Sequence, residues 1–510
     1  MDKKEFLESM VQGYSFKSSA VQIGCAMIDG EVVPEAVISL PLKTLNRHGL
    51  IAGATGTGKT KTLQVISEFL SDEGIPVLLM DIKGDLSGIA APGSENGKIT
   101  ERYEKLNLKY TPSAFPVELL SLTGNDGVRL RATVSEFGPV LLSKILGLND
   151  TQGGIVSLIF KYSDDNNLPL VDLKDFISVV QYVSAEGKEE VEKLYGKIST
   201  TSTGTILRKV IELQQQGADV FFGEKSFEVD DLMLKSGDKG KISILRIADI
   251  QDKPKLFSTF MLQMLAELYA TLPEVGDLDK PKLVMFIDEA HLVFQEASKD
   301  LLQQIETIIK LIRSKGVGIY FCTQNPMDVP ASVLSQLGLK IQHALRAFTA
   351  ADRKVIKQTA ENYPESRFYK TEDLITELGI GEALITMLNE KGIPTPLAHV
   401  MLCSPRSRMD VLSAIEVAGI NSASALITKY NKDIDPDSAK EMLARKLQNA
   451  ATTNQANAET KSTKPEPSAF EKITQNTIVK SMMRTAGNSI VRSLLGTLGL
   501  GGRSSRKSLF

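Results

Sequence analysis

The sequence predicts an α/β fold with a mostly parallel sheet, and three observations support this class. A short apolar run, residues 50–52, leads into a glycine-rich loop, and apolar residues then recur at helical spacing from Leu63 to Leu70. Residues 77–80 and 283–287 are uninterrupted apolar runs, which is typical of parallel strands buried on both faces. Helical patterns separate the runs, as parallel connections require. The first elements therefore form a β-α-β unit.

The glycine-rich loop has the full phosphate-binding pattern G-x-x-x-x-G-K-[ST], since residues 53–60 read Gly-Ala-Thr-Gly-Thr-Gly-Lys-Thr. In such a loop the backbone N–H groups converge on the β- and γ-phosphates of a nucleotide. Lys59 adds a mobile positive charge, and the Thr60 hydroxyl can ligate Mg²⁺. The residues expected to contact the nucleotide are Gly53, Ala54, Thr55, Gly56, Thr57, Gly58, Lys59, Thr60 and Lys61.

Two carboxylates follow the apolar run 283–287, and nucleotide hydrolysis needs both a carboxylate near the metal and a base that orients water. Asp288 lies at the expected carboxyl end of this strand, where open α/β sheets bind their ligands, and is the predicted partner of Thr60 in holding Mg²⁺. Glu289 would polarise the attacking water. The alternative is that both residues only begin the next helix as favourable N-terminal charges.

Gln324 follows the apolar run 319–322 and is the third predicted catalytic residue, after Lys59 and Glu289. At the end of that strand it could sense the γ-phosphate beside Glu289. The alternative is a strand-ending turn before proline.

Arg313 is the fourth predicted catalytic residue. It follows Ile312, the last member of an apolar helical stripe, and can therefore point outward. An exposed arginine here could reach the γ-phosphate of a neighbouring subunit, so that hydrolysis would depend on oligomerisation. A favourable cation near a helix C-terminus explains the residue equally well. Arg346 and Arg353 are weaker candidates for the same role.

The same patterns divide the chain into segments. We predict a small N-terminal β segment (1–45), a first part of the core (46–111), a mostly helical insertion (112–240), a second part of the core (241–405), C-terminal helices (406–449), and a disordered linker with a basic amphipathic tail (450–510). In the first segment, Asp29-Gly30 joins two alternating strands in a hairpin.

Composition indicates an ordinary soluble protein, since 42% of the 510 residues are hydrophobic and 24% are charged. With a net charge of −3, the chain has no overall excess of positive charge, so any contact with nucleic acid requires local basic patches. The three cysteines and four histidines show no disulfide or metal-ligand spacing. Without a signal sequence or a long apolar stretch, we expect a cytoplasmic protein.

With these residues identified, the chain resembles the HerA-like ATPases of the HerA and FtsK group. The resemblance covers residues 20 to about 410, and its matching segments are 53–60, 81–86, 216–224, 288–291, 318–326 and 392–396. It implies a RecA-like core, a hexameric ring with ATP and Mg²⁺ at the subunit interfaces, and translocation of DNA or another polymer through a central pore. It also makes Arg313 the preferred arginine finger.

Three functions stay open at this point. The first is a ring-forming ATPase motor that acts on DNA. The second is a ring ATPase that remodels proteins or works at a membrane surface, with the basic tail docking on the membrane or on a partner protein. The third is a nucleotide-dependent scaffold with little turnover.

Overall fold

A computed structural model of the protein describes residues 3–247, 254–276, 278–294, 299–432, 434 and 437–459. Its framework is a 12-stranded sheet with the order β2-β1-β14-β13-β12-β3-β11-β10-β4-β9-β5-β6, beside a small antiparallel pair, β7-β8. The strands are β1 (Ala20–Ile28), β2 (Glu31–Pro41), β3 (Gly49–Ala52), β4 (Val77–Asp81), β5 (Val117–Ser121), β6 (Val128–Arg129), β7 (Lys235–Ser236), β8 (Lys239–Gly240), β9 (Ile242–Arg246), β10 (Leu283–Ile287), β11 (Val317–Thr323), β12 (Leu339–Gln342), β13 (Glu382–Met387) and β14 (Ala398–Leu402).

The sheet is parallel from β12 through β3, β11, β10, β4, β9 and β5 to β6, and antiparallel from β12 through β13, β14 and β1 to β2. In its parallel part the side chains alternate between two cores. Leu50 and Leu78 contribute to one core, whereas Ile51 and Val77 contribute to the other. Burial on both faces explains why these strands have uninterrupted apolar sequences.

Helices cover both faces of the sheet. They are α1 (Lys3–Gly13), α2 (Lys59–Asp72), α3 (Gly97–Lys105), α4 (Val134–Ile145), α5 (Asp150–Asp165), α6 (Leu173–Ser184), α7 (Lys188–Tyr195), α8 (Thr200–Gln215), α9 (Pro254–Thr271), α10 (His291–Phe294), α11 (Lys299–Ile312), α12 (Ala331–Leu334), α13 (Ala350–Glu361), α14 (Thr371–Glu377), α15 (Ala414–Ala423), α16 (Ala425–Tyr430) and α17 (Ala439–Glu459). Helices α4 to α8 form the helical layer predicted within residues 112–240.

The segment 112–240 is not helical throughout, because it also supplies β5 and β6 to the main sheet. Glu118 interrupts the apolar pattern of β5, yet the structure buries it against the neighbouring strand, where its Oε2 lies 2.9 Å from Lys241 Nζ. The paired charge compensates for burial of the carboxylate. Because Glu118 is polar, the sequence of β5 is not an uninterrupted apolar run, and the apolar pattern does not predict this strand.

The predicted N-terminal hairpin is present, but it belongs to the main sheet rather than to a separate unit. Strand β1 pairs with β2 on one side and with β14 on the other, where Cys25 lies opposite Met401. All three cysteines are free and buried.

At the C-terminal end, α17 continues to Glu459, so the first part of the predicted disordered linker is helical. The physical reason is local, since this stretch contains several alanines and neither glycine nor proline. The remainder of the predicted linker and tail, 460–510, lies outside the described residues. No helix in the described part of the chain is both long enough and apolar enough to cross a bilayer.

Candidate nucleotide site

The phosphate-binding loop follows β3 at the carboxyl edge of the parallel sheet. The strands on either side of β3, together with the turn before β13, fix the loop through backbone hydrogen bonds. Gly53 N–H donates to Thr323 O at 3.2 Å, Ala54 N–H donates to Ala344 O at 2.8 Å, and Gly381 N–H donates to Thr57 O at 3.1 Å. The loop is therefore held in place by the sheet itself.

Gly53 shows why the first position of the loop must be glycine. Its φ is 152°, and a β-carbon on this residue would lie 2.5 Å from His343 Cβ. His343 is fully buried beneath the loop, where its ring contacts Glu382 O and Thr62 Oγ1, each at 2.9 Å. The loop therefore packs on the histidine backbone and ring without space for a side chain.

Lys59 begins α2 and folds back over the loop, where its Nζ donates to Gly53 O at 2.6 Å and to Ala54 O at 3.1 Å. Burial and the nearby Lys83 charge lower the pKa of Lys59, although neighbouring carboxylates partly offset them. A buried ammonium with an incomplete set of anionic partners suits the binding of phosphate. Thr60 follows in the first turn of α2, half-buried.

Thr55 and Lys61 have separate roles in the structure. Thr55 Oγ1 donates to Gln324 Oε1 at 3.1 Å, which ties the exposed part of the loop to the end of β11. The Lys61 side chain points towards the segment after β14, where Nζ donates to Met409 O at 2.6 Å. The Lys61 ammonium therefore contacts another segment in this structure, and its predicted contact with nucleotide stays a prediction.

Asp288 lies directly after β10, as predicted, and only 3% of its surface is exposed. Burial raises its pKa to about 6, with Lys83 opposing this shift and the Glu289 carboxylate adding to it. Its Oδ2 is buried without a hydrogen-bond partner among the described residues, and the same is true of Asp85 Oδ1. The Asp85 charge also raises the pKa of Asp288, so the two carboxylates are close.

These unpartnered carboxylate oxygens form a donor set that fits Mg²⁺, which prefers oxygen ligands and retains several waters. Thr60 and Asp288 remain the residues predicted to hold such an ion, and the unpartnered Asp288 oxygen is consistent with that prediction. In the described ranges, this site included, no cluster of three or more His, Cys, Asp or Glu side chains could hold a metal without further ligands.

Glu289 is buried at the centre of a polar network. Its Oε1 lies 2.6 Å from Lys83 Nζ and accepts a long hydrogen bond from Gln324 Nε2 at 3.4 Å. His291 Nδ1 lies 3.3 Å from its other oxygen, Oε2, without hydrogen-bond alignment. Burial alone would raise the pKa of Glu289, but Lys83, Gln324 and His291 together lower it below its ordinary value. The carboxylate is therefore ionised, as the predicted role of Glu289 as a base requires.

The sequence patterns missed Lys83, although it makes the shortest contact to Glu289. Lys83 lies on the turn after β4, the strand that pairs with β10. Asp81 shapes this turn, since its Oδ1 accepts from Gly84 N–H at 2.7 Å and its Oδ2 accepts from Leu86 N–H at 3.0 Å. The order of the strands, which the sequence does not reveal, is what places the turn beside Glu289.

Arg313 lies apart from these residues. It follows α11 and precedes β11, so it is at the amino edge of the sheet, while Thr323 at the other end of β11 contacts the phosphate loop. The length of that strand separates them by roughly 20 Å. Arg313 is exposed and does not reach the loop of its own chain. Arg346 and Arg353 are also exposed, on the loop after β12 and on α13.

Comparison with solved structures agrees with this fold. The bacterial conjugative coupling protein TrwB superposes with a TM-score of 0.51 over 80% of this chain and 95% of that chain, at 13% sequence identity. TrwB bound to the ATP analogue ADPNP gives a TM-score of 0.50 over 78% of this chain and 99% of that chain, also at 13% identity. These similarities confirm the predicted RecA-like α/β core with its mostly parallel sheet.

Sequence comparison identifies more direct relatives. The DNA double-strand break repair helicase HerA of Sulfolobus acidocaldarius is 23% identical over 354 residues, which cover 68% of this chain and 64% of the relative. The match thus spans less than two thirds of that helicase. The model of the Helicase HerA-like C-terminal family matches residues 28–470. Since this match includes the phosphate loop, both carboxylates and nearly all of the sheet, the protein belongs to the HerA-like helicase C-terminal family.

Proposed function

We propose that the protein is a Mg²⁺-dependent ATPase motor of the HerA-like type, which acts on DNA as a hexameric ring. One observation carries the hydrolytic part of the proposal. Asp288, Glu289 and Gln324 lie together at the carboxyl edge of the sheet, and Gln324 connects Glu289 with Thr55 of the phosphate loop. A loop that only binds nucleotide does not require a buried, ionised carboxylate at this position.

In the proposed reaction, the backbone N–H groups of the loop and Lys59 bind the β- and γ-phosphates. Thr60 and Asp288 would hold Mg²⁺, which would neutralise phosphate charge when bound. Glu289 accepts the proton of the attacking water, and Gln324 orients that water against the γ-phosphate. TrwB, which has a similar fold, has been solved in complex with the ATP analogue ADPNP, and this supports ATP as the nucleotide.

The position of Arg313 supports assembly of several subunits. An arginine at the opposite edge of the sheet can act on a γ-phosphate only if it approaches the site of another subunit. Hydrolysis would then occur at the interfaces of a ring, as the HerA-like resemblance implies. The finger supplied by the neighbour would stabilise the charge that develops on the transferred phosphoryl group.

DNA is the proposed cargo because the HerA relative is named for DNA double-strand break repair. The net charge of −3 requires that the contact be local, because the whole protein carries no excess of positive charge that would attract DNA.

The test is ATP hydrolysis with Mg²⁺, measured with and without single- and double-stranded DNA on protein of known mass in solution. We expect turnover by the oligomer to increase with DNA. We expect Glu289→Gln to reduce turnover by at least about 100-fold while ATP binding persists. Glu186→Gln, an exposed glutamate before α7, is the matched control and should retain full activity.

Each part of the proposal has its own contrary result. Turnover that is unchanged by either form of DNA would contradict DNA as the cargo and favour a protein or membrane substrate. Full activity of the monomer would contradict the ring. A Glu289→Gln variant with normal turnover would contradict the assigned base.

A further inference from the structure

Lys83 differs from an ordinary surface lysine in the environment of its ammonium group. Its Nζ contacts Glu289 Oε1 at 2.6 Å, and the side chains of Lys83 and Glu289 are 37% and 7% exposed. The contact therefore joins a partly solvated, flexible cation to a buried carboxylate. The turn that carries Lys83 is fixed by Asp81, which is fully buried, so only the long side chain is free to change partner.

The ammonium of Lys83 also lies within the network that surrounds the phosphate loop. Glu289 connects to Gln324, and Gln324 connects to Thr55 of the loop. Lys83 and Lys59 are close enough that the charge of Lys83 lowers the pKa of Lys59. Two ammonium groups thus face the same small region, where a triphosphate would introduce several negative charges.

The contact has a chemical consequence for Glu289. Glu289 Oε1 takes part in a charge-assisted contact with Lys83 at 2.6 Å and also accepts from Gln324 Nε2, whereas Oε2 has no hydrogen-bond partner among the described residues. In the arrangement seen here, Lys83 therefore holds Oε1 and with it the orientation of the carboxylate that would activate water.

We propose that Lys83 is a positioning residue that distinguishes ATP from ADP, by holding Glu289 in the absence of a γ-phosphate and moving to a γ-phosphate oxygen when ATP binds. The proposal rests on the proposed function and adds a control of the same site. Once Lys83 has moved, Glu289 Oε1 accepts the proton of the water whose oxygen bonds to the γ-phosphorus. The bond from that phosphorus to the β–γ bridging oxygen breaks, and ADP leaves with its electron pair.

The experiment compares Lys83→Met, which removes the charge and preserves the length, with Lys83→Arg. Binding of a non-hydrolysable ATP analogue and of ADP is measured with Mg²⁺, alongside kcat and KM for ATP. We expect Lys83→Met to weaken binding of the ATP analogue by about 10- to 100-fold, as loss of a charged hydrogen bond predicts, while ADP binding changes by less than about twofold. Lys83→Arg should recover most of the discrimination.

Lys98→Met is the matched control, because Lys98 is an exposed lysine in the first turn of α3. It should leave both affinities and turnover unchanged. Lys83→Gln provides a second, uncharged variant if Lys83→Met is unstable.

Equal weakening of ATP analogue and ADP binding would overturn the proposal, as would unchanged binding of both, because Lys83 would then be only a structural partner of Glu289. The ratio of the two affinities tests Lys83, whereas turnover of the unaltered protein tests the proposed ATPase. The two failures can therefore be distinguished.

Discussion

Glu289 is held in a backbone conformation that its side chain does not favour. Its φ of 47° is left-handed, which costs a residue with a β-carbon about 1–2 kcal/mol. The next residue compensates locally, since Ala290 N–H donates to Cys322 O at 2.9 Å on β11. The strained turn directs the carboxylate towards Gln324 and Lys83 rather than along the strand. Backbone strain at this position thus serves the geometry of the site.

The close packing around Gly53 predicts the effect of adding a single β-carbon there. Gly53→Ala should weaken ATP binding by at least about tenfold, because the added methyl group would meet His343 Cβ at 2.5 Å and displace the loop. Nucleotide affinity, measured by titration, checks this result. Gly97→Ala is the control, since a β-carbon at Gly97 meets nothing within 4 Å. Equal affinities for both variants would contradict the packing argument.

His48 provides a prediction on pH. Its Nδ1 accepts the N–H of Ile319 at 3.0 Å, so Nε2 must carry the proton and donate to Ile309 O at 2.8 Å. Burial lowers its pKa from 6.5 to about 4, and the nearby Arg313 charge adds to the effect. The unfolded chain therefore binds a proton more readily than the folded protein. The stability from neutral His48 is complete above about pH 6.5 and is lost as pH falls towards 4.

The measurement compares the unaltered protein with His48→Asn, because asparagine is polar and does not titrate in this pH range. The difference in melting temperature between the two should narrow from pH 7.5 to pH 5, because the contribution at stake is on the order of 3 kcal/mol. Asp81 and Asp288, which titrate near pH 6, affect both proteins alike. A difference that stays constant with pH would show that His48 does not titrate as described.

At the scale of elements, one face of α2 is bonded to the segment that follows β14. Glu68 is 1% exposed, and its carboxylate accepts from Arg406 N–H at 2.8 Å and from Ser407 N–H at 3.0 Å. Gln64 and Lys61, on the same face of α2, also donate to this segment. The helix that begins in the phosphate loop is therefore anchored along its length.

Glu68→Ala should destabilise the protein, because it leaves one buried and one partly buried backbone N–H group without this acceptor. The expected cost is roughly 2–4 kcal/mol, and thermal unfolding should show a clear decrease in melting temperature. Glu104→Ala, which alters an exposed glutamate of α3, should have little effect. If the two variants melted alike, the contacts of Glu68 would contribute little to stability.

The elements that could be predicted from sequence are those whose signal is local. Asp29-Gly30 gives the β1–β2 hairpin, and the uninterrupted apolar runs give β4, β10 and β11. Strand β5 and the short β12 could not be predicted in this way, because Glu118 and Lys340 interrupt their apolar patterns. Both residues contact neighbouring strands or helices. Their burial therefore depends on tertiary contacts, which the strand propensity of the local sequence does not describe.

The candidate site also contains residues that the sequence predicts and residues that it does not. The phosphate loop and the Asp288-Glu289 pair are each a short run of consecutive residues, so the sequence shows them directly. The structure places both at one edge of the sheet. Lys83 and Asp85 join them only because β4 lies next to β10. Strand order is a property of the whole sheet, which explains why these contacts were not predicted.

At the scale of the whole molecule, Arg313 allows a test by mixing subunits. Lys59→Ala removes the ammonium of the phosphate loop, and Arg313→Ala removes the proposed finger, so we expect each variant to be inactive alone. When the two are mixed, an intact phosphate loop can face an intact Arg313 of its neighbour, and we expect part of the ATPase activity to return. Enzyme activity across a series of mixing ratios checks this prediction.

Lys310→Ala is the control for that experiment, because Lys310 is an exposed cation one turn before Arg313 on α11. It should be active alone. Mixtures that stay as inactive as their components would contradict a finger supplied by another subunit.

The position of β1 has a consequence for how the protein is made. Because β1 lies between β2 and β14, one side of the N-terminal hairpin stays unpaired until residues 398–402 leave the ribosome. During most of translation, an apolar strand edge is therefore open to pairing with other nascent chains. Substitutions that slow synthesis or weaken β14 should consequently lower the yield of soluble protein before they alter any property of the finished molecule.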